Sequence, residues 1–597
     1  MRVFLAAALI VLPAAAQAED DGAAPAMGAR AAPAAPVREG DGIPDQLDAD
    51  QRAGYRAVFA AIRAERWIDA QIQLDSMKPG PLHAIARAEL YTAKNSPRVE
   101  GEPLIALLSE APELPQAEQL VRLAKMRGAL GTPSLPQAQR LIWFDAAPVR
   151  QRARSIRSDT AATEVALAIH PYVKADDGVQ AEAVVEKFAP DLLPEVLTEW
   201  QQKVAWVYYI AGDDANARRM AAKAQAGTGD WVGQADWVQG LAAWRQHDCD
   251  AAAAAFDRVS TRAADTELRS AGLFWASRAD MACGRPEKVS VKLRAAAQYS
   301  ETYYGLLARA ALGIEDKPLA GERVVAEDWR MLERRPNVRV AAALAEIGED
   351  RLASDVLRHQ AKFCSPDEHA ALTRLAGRLN LAATQLWLSH NGPAGARPLV
   401  QARYPAPNWT PAGGWRVDKA LVFAHTLQES RFNAEIRSAA GAMGLMQVKQ
   451  GAAIDVGRRH GVAYAPGDLT KPSVNMEIGQ SYLEQLRDQP FTGGLLPKVI
   501  AAYNAGPTPV AAWNGLTRDN GDPLLYIESI PYWETRGYVM TVLRNYWMYE
   551  QKEGRKSASR DALAQGLWPR FPGLPGAPAV KVSGYKPAES MRVAGAH

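Results

Sequence analysis

From Asp48 onward, apolar residues recur at three- and four-residue intervals through a chain rich in Ala, Leu, Arg and Glu, broken by short Gly, Asp or Pro turns. That spacing gathers apolar groups on one helical face, so the pattern predicts helix after helix and an all-α fold. Between residues 200 and 313 the helices look paired. Tyr208-Tyr209-Ile210-Ala211-Gly212-Asp213-Asp214 leads into residues 215–224, and Gly240-Leu241-Ala242-Ala243-Trp244 leads through His247-Asp248 into residues 251–256. Phe274-Trp275-Ala276 through Gly284-Arg285-Pro286 repeats the theme. Aromatics on one helix, a polar turn and small residues on the next are how helical hairpins stack into an α-superhelix. An irregular all-helical domain is the alternative.

Changes in texture divide the chain, which at 597 residues is too long for one core. Met1-Arg2, the apolar run 3–12 and Ala16-Gln17-Ala18 read as a signal peptide over 1–18, removed after Ala18. The run is about half the ~20 apolar residues that a membrane span needs. No later stretch spans either, so no stable membrane insertion is expected, and in a bacterium the exported protein would reside in the periplasm. Glu19 stands where a lipoprotein would need cysteine. Residues 19–44, rich in Ala, Pro and Gly, predict a flexible leader. An α-superhelical domain is expected over 45–335, its period of about 34–36 residues resembling that of tetratricopeptide repeats. After Arg334-Arg335-Pro336 comes a helical linker domain, 336–403. Tyr404-Pro405-Ala406-Pro407 opens a domain over 404–554, and the Pro/Gly-rich stretch 555–597 reads as a disordered tail.

Composition removes several functions. A net charge of +2 gives no broad footprint for nucleic acid. Nine histidines without CxxC, HExxH or a dense His/Asp cluster support neither a metal nor a cofactor. Three cysteines allow one disulfide at most; Cys249 and Cys283 sit at similar places in successive hairpins, although small buried thiols explain them equally well.

Chemistry concentrates between Phe423 and Asn504, in Gln428-Glu429-Ser430, Gly444-Leu445-Met446-Gln447 and Ala502-Tyr503-Asn504. Residues 418–428 read as a helix that leaves Glu429 near its C-terminus. There the helix dipole, with desolvation by Phe432 or Met446, raises a carboxyl pKa and keeps an acid protonated for donation. Ser430 is read as a hydroxyl that satisfies the helix end. Small residues over 438–444 permit close backbone approach by a ligand before Leu445-Met446-Gln447 opens another helix. Gln447 offers an amide donor and acceptor, Met446 a flexible apolar contact, and Tyr503 and Asn504 project where Gly506-Pro507 ends a helix. Each also has a bland explanation: a solvated glutamate, a helix cap, a core methionine, a buried tyrosine.

These motifs in this order, with Glu528-Ser529-Ile530-Pro531 and Glu534-Thr535-Arg536-Gly537-Tyr538-Val539, resemble the bacterial soluble lytic transglycosylases of family 1, closely over residues 417–549. The resemblance implies a lysozyme-like catalytic domain preceded by a helical region of the type that forms a superhelical ring in that family, with closure into a ring left open. It implies cleavage of the β-1,4 bond between N-acetylmuramic acid and N-acetylglucosamine in peptidoglycan glycan strands. Glu429 would be the sole acid/base, and the product would end in a 1,6-anhydromuramoyl ring. Ser438, Gln447 and Tyr503 match family positions that hold or polarise the substrate N-acetyl group; Asn504 would support the cleft. Glu528 would line the groove or contact the peptide stem, or else pair with Arg536.

Ordinary glycosidases place two carboxylates roughly 5–9.5 Å apart. Glu435 is the acid nearest Glu429 in sequence, and Asp455, Asp468 and Glu477 fall outside the motifs and read as solvated faces and turns. Without a second carboxylate, the substrate's own N-acetyl oxygen would meet the charge at the anomeric carbon. Two other readings remain: a hydrolytic muramidase, and a non-catalytic helical scaffold for cell-wall enzyme partners. Oligomeric state is not readable.

Overall fold

The computed structural model describes residues 43–317, 319 and 326–582. The expected signal peptide, nearly all of the leader and residues 583–597 lie outside them. Almost all regular structure is helical, and among the described residues no helix is long and apolar enough to cross a membrane.

The chain enters on helix Ala49–Arg63, where Asp48 accepts from Gln51 N and the Gln51 side chain accepts from Asp48 N, a reciprocal cap. Four helices follow, ending with Ala117–Met126. Their apolar faces do not close on the neighbouring superhelix. Tyr55, Phe59, Leu107 and Leu120 share one core with Val340, Leu357 and Leu372 from the helices after residue 326. Asn337 Nδ2 donates to Glu113 O at 2.7 Å, and Arg52 pairs with Glu346 at 3.2 Å. The border expected at 335/336 therefore cuts through one packed unit.

After the first set runs a segment without helix, residues 127–158, fastened by the antiparallel pair Ile142–Trp143 with Asn391–Gly392. The consecutive hairpins follow, from Thr160–Lys174 to Tyr303–Ala311, each helix packed on the next. Asp177, Asp213 and Asp248 cap successive second helices about every 35 residues, each accepting from a backbone N–H three residues on. Alanines let the helices close up, and Phe256, Trp275 and Tyr304 pack tilted and edge-on through the interior. A disulfide joins Cys249, which opens one helix, to Cys283, which caps the next; Cys364 is free and buried.

The last part packs helix Lys419–Ser430 against helix Trp533–Lys552, surrounded by Pro472–Arg487 and Leu496–Ala505. It shares an apolar core with the superhelix, for instance where Tyr303 stacks on Trp547 at 5.1 Å. Residues 555–582 of the expected disordered tail are ordered. Helix Ala558–Ala564 and the pair Trp568–Pro569 with Ala579–Val580 pack on this part, with Trp568 and Phe571 buried and Trp568 Nε1 donating to Gly521 O at 2.8 Å. Two aromatic anchors outweigh a composition that averages to disorder.

Candidate active site

Glu429 lies one residue before the end of helix Lys419–Ser430. Beyond Ser430 the backbone turns at once, with Arg431 and Phe432 both left-handed at φ 51° and 63°. Two successive side-chain-bearing residues in that region cost energy, and they bend the chain away from the carboxylate. Ser430 Oγ donates to Thr426 O at 3.1 Å, which satisfies a carbonyl at the helix end.

The only hydrogen bond that the described residues make to the Glu429 carboxylate comes from Tyr538, whose O–H donates to Oε1 at 2.6 Å. Tyr538 O lies 2.8 Å from His425 Nδ1. Burial pulls His425 down to about 3, so its ring is neutral; with the Tyr538 proton spent on Glu429, the tyrosine oxygen can only accept, from Nδ1–H. Burial pushes Glu429 up to about 7; the Tyr538 bond opposes the rise and the charge of Glu534 adds to it. A carboxyl held near neutrality can give a proton and take one back. Sequence reasoning missed both His425 and Tyr538. The signal was there: His425 is four residues before Glu429, hence on the same helix face, and Tyr538 stands in a quoted motif.

The Tyr503 ring lies against His425, with centroids 4.6 Å apart, and its O–H donates to Met446 O at 2.9 Å. Residues 443–448 do not open a helix as expected; they form a tight hairpin in which Met443 and Val448 exchange backbone bonds. Gly444 permits the turn, with φ 73° and a position where a Cβ would sit 2.2 Å from Leu469 O. Asn475 clamps it, accepting from Met446 N at 2.8 Å and donating to Met443 O and Leu469 O. Ser438 stands beside this hairpin, its N–H donating to Ala442 O and its Oγ accepting from Ala442 N.

The 410–525 stretch matches the family model "Transglycosylase SLT domain". These residues form an SLT domain. The chain is 30% identical over 280 residues to the soluble lytic murein transglycosylase of Salmonella typhimurium, a match spanning 45% of this chain and 41% of that one. To its namesake from Escherichia coli K12 it is 35% identical over 155 residues, 26% of this chain and 24% of that one. The chain thus aligns with less than half the length of these relatives. The crystal structure of the 70 kDa soluble lytic transglycosylase Slt70 from Escherichia coli superposes with a TM-score of 0.52 at 19% identity, covering 87% of this chain and 99% of that one. The complex of that 70 kDa transglycosylase with bulgecin A gives 0.52 at 18% identity, over 87% and 99%. The fold is accordingly the expected one, an α-superhelical region followed by a lysozyme-like domain.

From Glu429, contacts run through Tyr538, His425 and Tyr503 to the hairpin that carries Gln447, with the Ser438 loop beside it, and two expected ligand contacts are set apart. The Met446 side chain has no exposed surface and packs over Gly479, so it belongs to the core; only its carbonyl faces Tyr503. Gln447, left-handed at φ 48°, spends its amide N–H groups on Gly444 O and Ile436 O, and its oxygen remains as an acceptor alone. Asn504 accepts from Thr535 Oγ1 at 2.6 Å.

Glu528 does not line the groove. It is wholly buried against the superhelix, paired with Arg150 at 2.6 Å and accepting from Tyr304 O–H at 2.7 Å. Arg536, the alternative partner, donates instead to Ile530 O. Glu477, expected on a solvated face, is buried, accepts from Gly413 N and pairs with Arg416. Glu435 is exposed, and the acid whose charge reaches Glu429 is the exposed Glu534.

Proposed function

We propose that the chain is an exported lytic transglycosylase that cuts the β-1,4 bond between N-acetylmuramic acid and N-acetylglucosamine in peptidoglycan. The observation that carries the reading is a single desolvated acid, Glu429, pushed up to about 7 and bonded by a neutral tyrosine–histidine pair instead of a second carboxylate. Relatives of the SLT domain bear the name soluble lytic murein transglycosylase, which supports the substrate class.

In this mechanism Glu429, protonated, gives its proton to the glycosidic oxygen as the bond to the anomeric carbon breaks. The carboxylate left behind is stabilised by the Tyr538 O–H. It then removes the proton of the muramoyl C6 hydroxyl as that oxygen attacks the anomeric carbon and closes a 1,6-anhydro ring. The substrate N-acetyl oxygen steadies the positive charge between the two steps. Ser438, Gln447 and Tyr503 orient that group, Gln447 by accepting from the amide N–H.

Mass spectrometry of the fragments tests the reading, because anhydro ends are lighter than hydrolysed ends by one water. Reducing muramic ends throughout would overturn it in favour of a muramidase. Glu534 is the observation behind that second reading, since an acid near Glu429 could activate water. Full cleaving activity in Glu429→Gln would remove Glu429 from the mechanism.

A further inference from the structure

On the far side of the first turn of helix Trp533–Lys552 from the interactions of Glu534 and Thr535 lies a separate cavity of about 430 Å³, between that turn and the superhelix helices Thr160–Lys174, Pro194–Ala211 and Trp231–Arg245. Its walls carry five indoles, Trp200, Trp206, Trp231, Trp237 and Trp533. Trp200, Trp231 and Trp237 are buried core side chains, whereas Trp206 and Trp533 keep part of their surface exposed. Flat indole faces with polar edges are the surfaces on which saccharide rings lie, C–H groups against the π cloud.

The polar groups of the cavity are chiefly donors. Arg536 is 4% exposed and lies 4.0 Å over the Trp206 ring, with Nε and Nη2 committed to Ile530 O and no carboxylate paired with it among the described residues. Burial, together with Arg150 and Arg152 and against the pull of Glu528, brings Arg536 down to about 10, still charged at neutral pH. Arg152 sits at the exposed rim, 5.9 Å over Trp533, without an ion pair among the described residues. Trp237 is 3% exposed and its Nε1–H meets no acceptor. Lys203 is the exception: it is paired with Glu199 and bonded to Ser155 Oγ. Asp176 is the sole acid in the lining, exposed at the edge. Buried donors without acceptors are costly, and two unpaired guanidinium groups across aromatic walls complement a ligand rich in acceptors and negatively charged.

We infer that this cavity is a second saccharide site, separate from the Glu429 carboxylate, which takes a sugar bearing a carboxylate, its ring against Trp206 and Trp533 and its carboxylate between Arg152 and Arg536. The choice of a sugar as the body of the ligand rests on the proposed function. Lactyl and peptide carboxylates on muramic acid supply the charge. Uncharged N-acetylglucosamine does not. Such a site would let the superhelix hold a strand while the SLT domain works on it.

Titration of the full chain with muramyl dipeptide, followed by tryptophan emission, tests this, with N-acetylglucosamine disaccharide as the uncharged control. Saturable binding of the dipeptide is expected, weakened at least tenfold in Arg152→Glu, kept within about threefold in Arg152→Lys, and strengthened in Asp176→Asn, which removes the lone negative group. Arg152 and Asp176 are exposed, so these variants leave the core untouched. Equal affinity in Arg152→Glu and the native chain, or equal binding of the uncharged disaccharide, would overturn the inference. Muramyl dipeptide has no glycosidic bond to cut. A chain that binds it in this way yet cleaves no glycan would defeat the proposed function and leave the site standing.

Discussion

Replacing Tyr538 by Phe removes one O–H and nothing else from the surroundings of Glu429. That hydroxyl donates to Oε1 at 2.6 Å, and it favours the ionised carboxylate. A hydrogen bond to a charged group contributes about 1.5–3 kcal/mol, and one pKa unit corresponds to about 1.4 kcal/mol. Loss of the bond should therefore lift Glu429 from about 7 by about one unit or more. The sign follows from which form loses its partner: the carboxylate does, so the protonated acid persists to higher pH. Because proton donation needs the acid form, the decline of kcat/KM on the alkaline side moves upward by about one unit, while the maximum falls as the leaving carboxylate loses its stabiliser. The variant also strands the His425 Nδ1–H, at about 1–3 kcal/mol of stability. The assay is kcat/KM for a soluble glycan fragment between pH 5 and 9. An alkaline limb that stays in place or moves down would refute the reasoning.

Three further outcomes follow from the same structure. Glu429 has a folded pKa of about 7 against an ordinary 4.5, so the stability of the native chain relative to Glu429→Gln is full below about 4.5 and is lost as pH rises through 7. The difference reaches roughly 3 kcal/mol at high pH and is read by denaturant unfolding at pH 5 and 8. Arg150→Met leaves Glu528 buried without its partner and should cost about 3–5 kcal/mol, much of it restored by adding Glu528→Gln; equal melting temperatures for the native chain and the single variant would exclude the pair as a structural clasp. Gly444→Ala forces a Cβ against Leu469 O in a left-handed turn, so the hairpin strains by about 1–3 kcal/mol and glycan affinity falls roughly tenfold, measured as KM on the same fragment.

Features that arise from local sequence were legible. The apolar spacing gave the helices, the recurring aspartates capped them, and the position of Glu429 at a helix end came from its immediate neighbours. What was not legible depended on contacts distant in sequence. Met446 and Gln447 read as the start of a helix because small residues precede them, but Asn475, about thirty residues on, pins them into a hairpin. Glu528 sits in a motif beside the active site, yet its partners are Arg150 and Tyr304, supplied by the superhelix. Glu477 looked solvated until Arg416 was placed on it. The order beyond residue 554 depends on Trp568 reaching Gly521 O, a bond invisible in a Pro/Gly-rich composition.

The core joining residues 47–124 to residues 329–388 has a consequence for how the chain is made. In synthesis, helices Ala49–Arg63 to Ala117–Met126 emerge before much of the surface that covers their apolar faces. Their cover lies roughly 200 residues later, behind the whole run of hairpins, which can close one on another as they appear. This early set therefore waits for residues 329–388 before its core is complete, and until residue 388 arrives it offers an open apolar surface to chaperones, proteases and other unfinished copies.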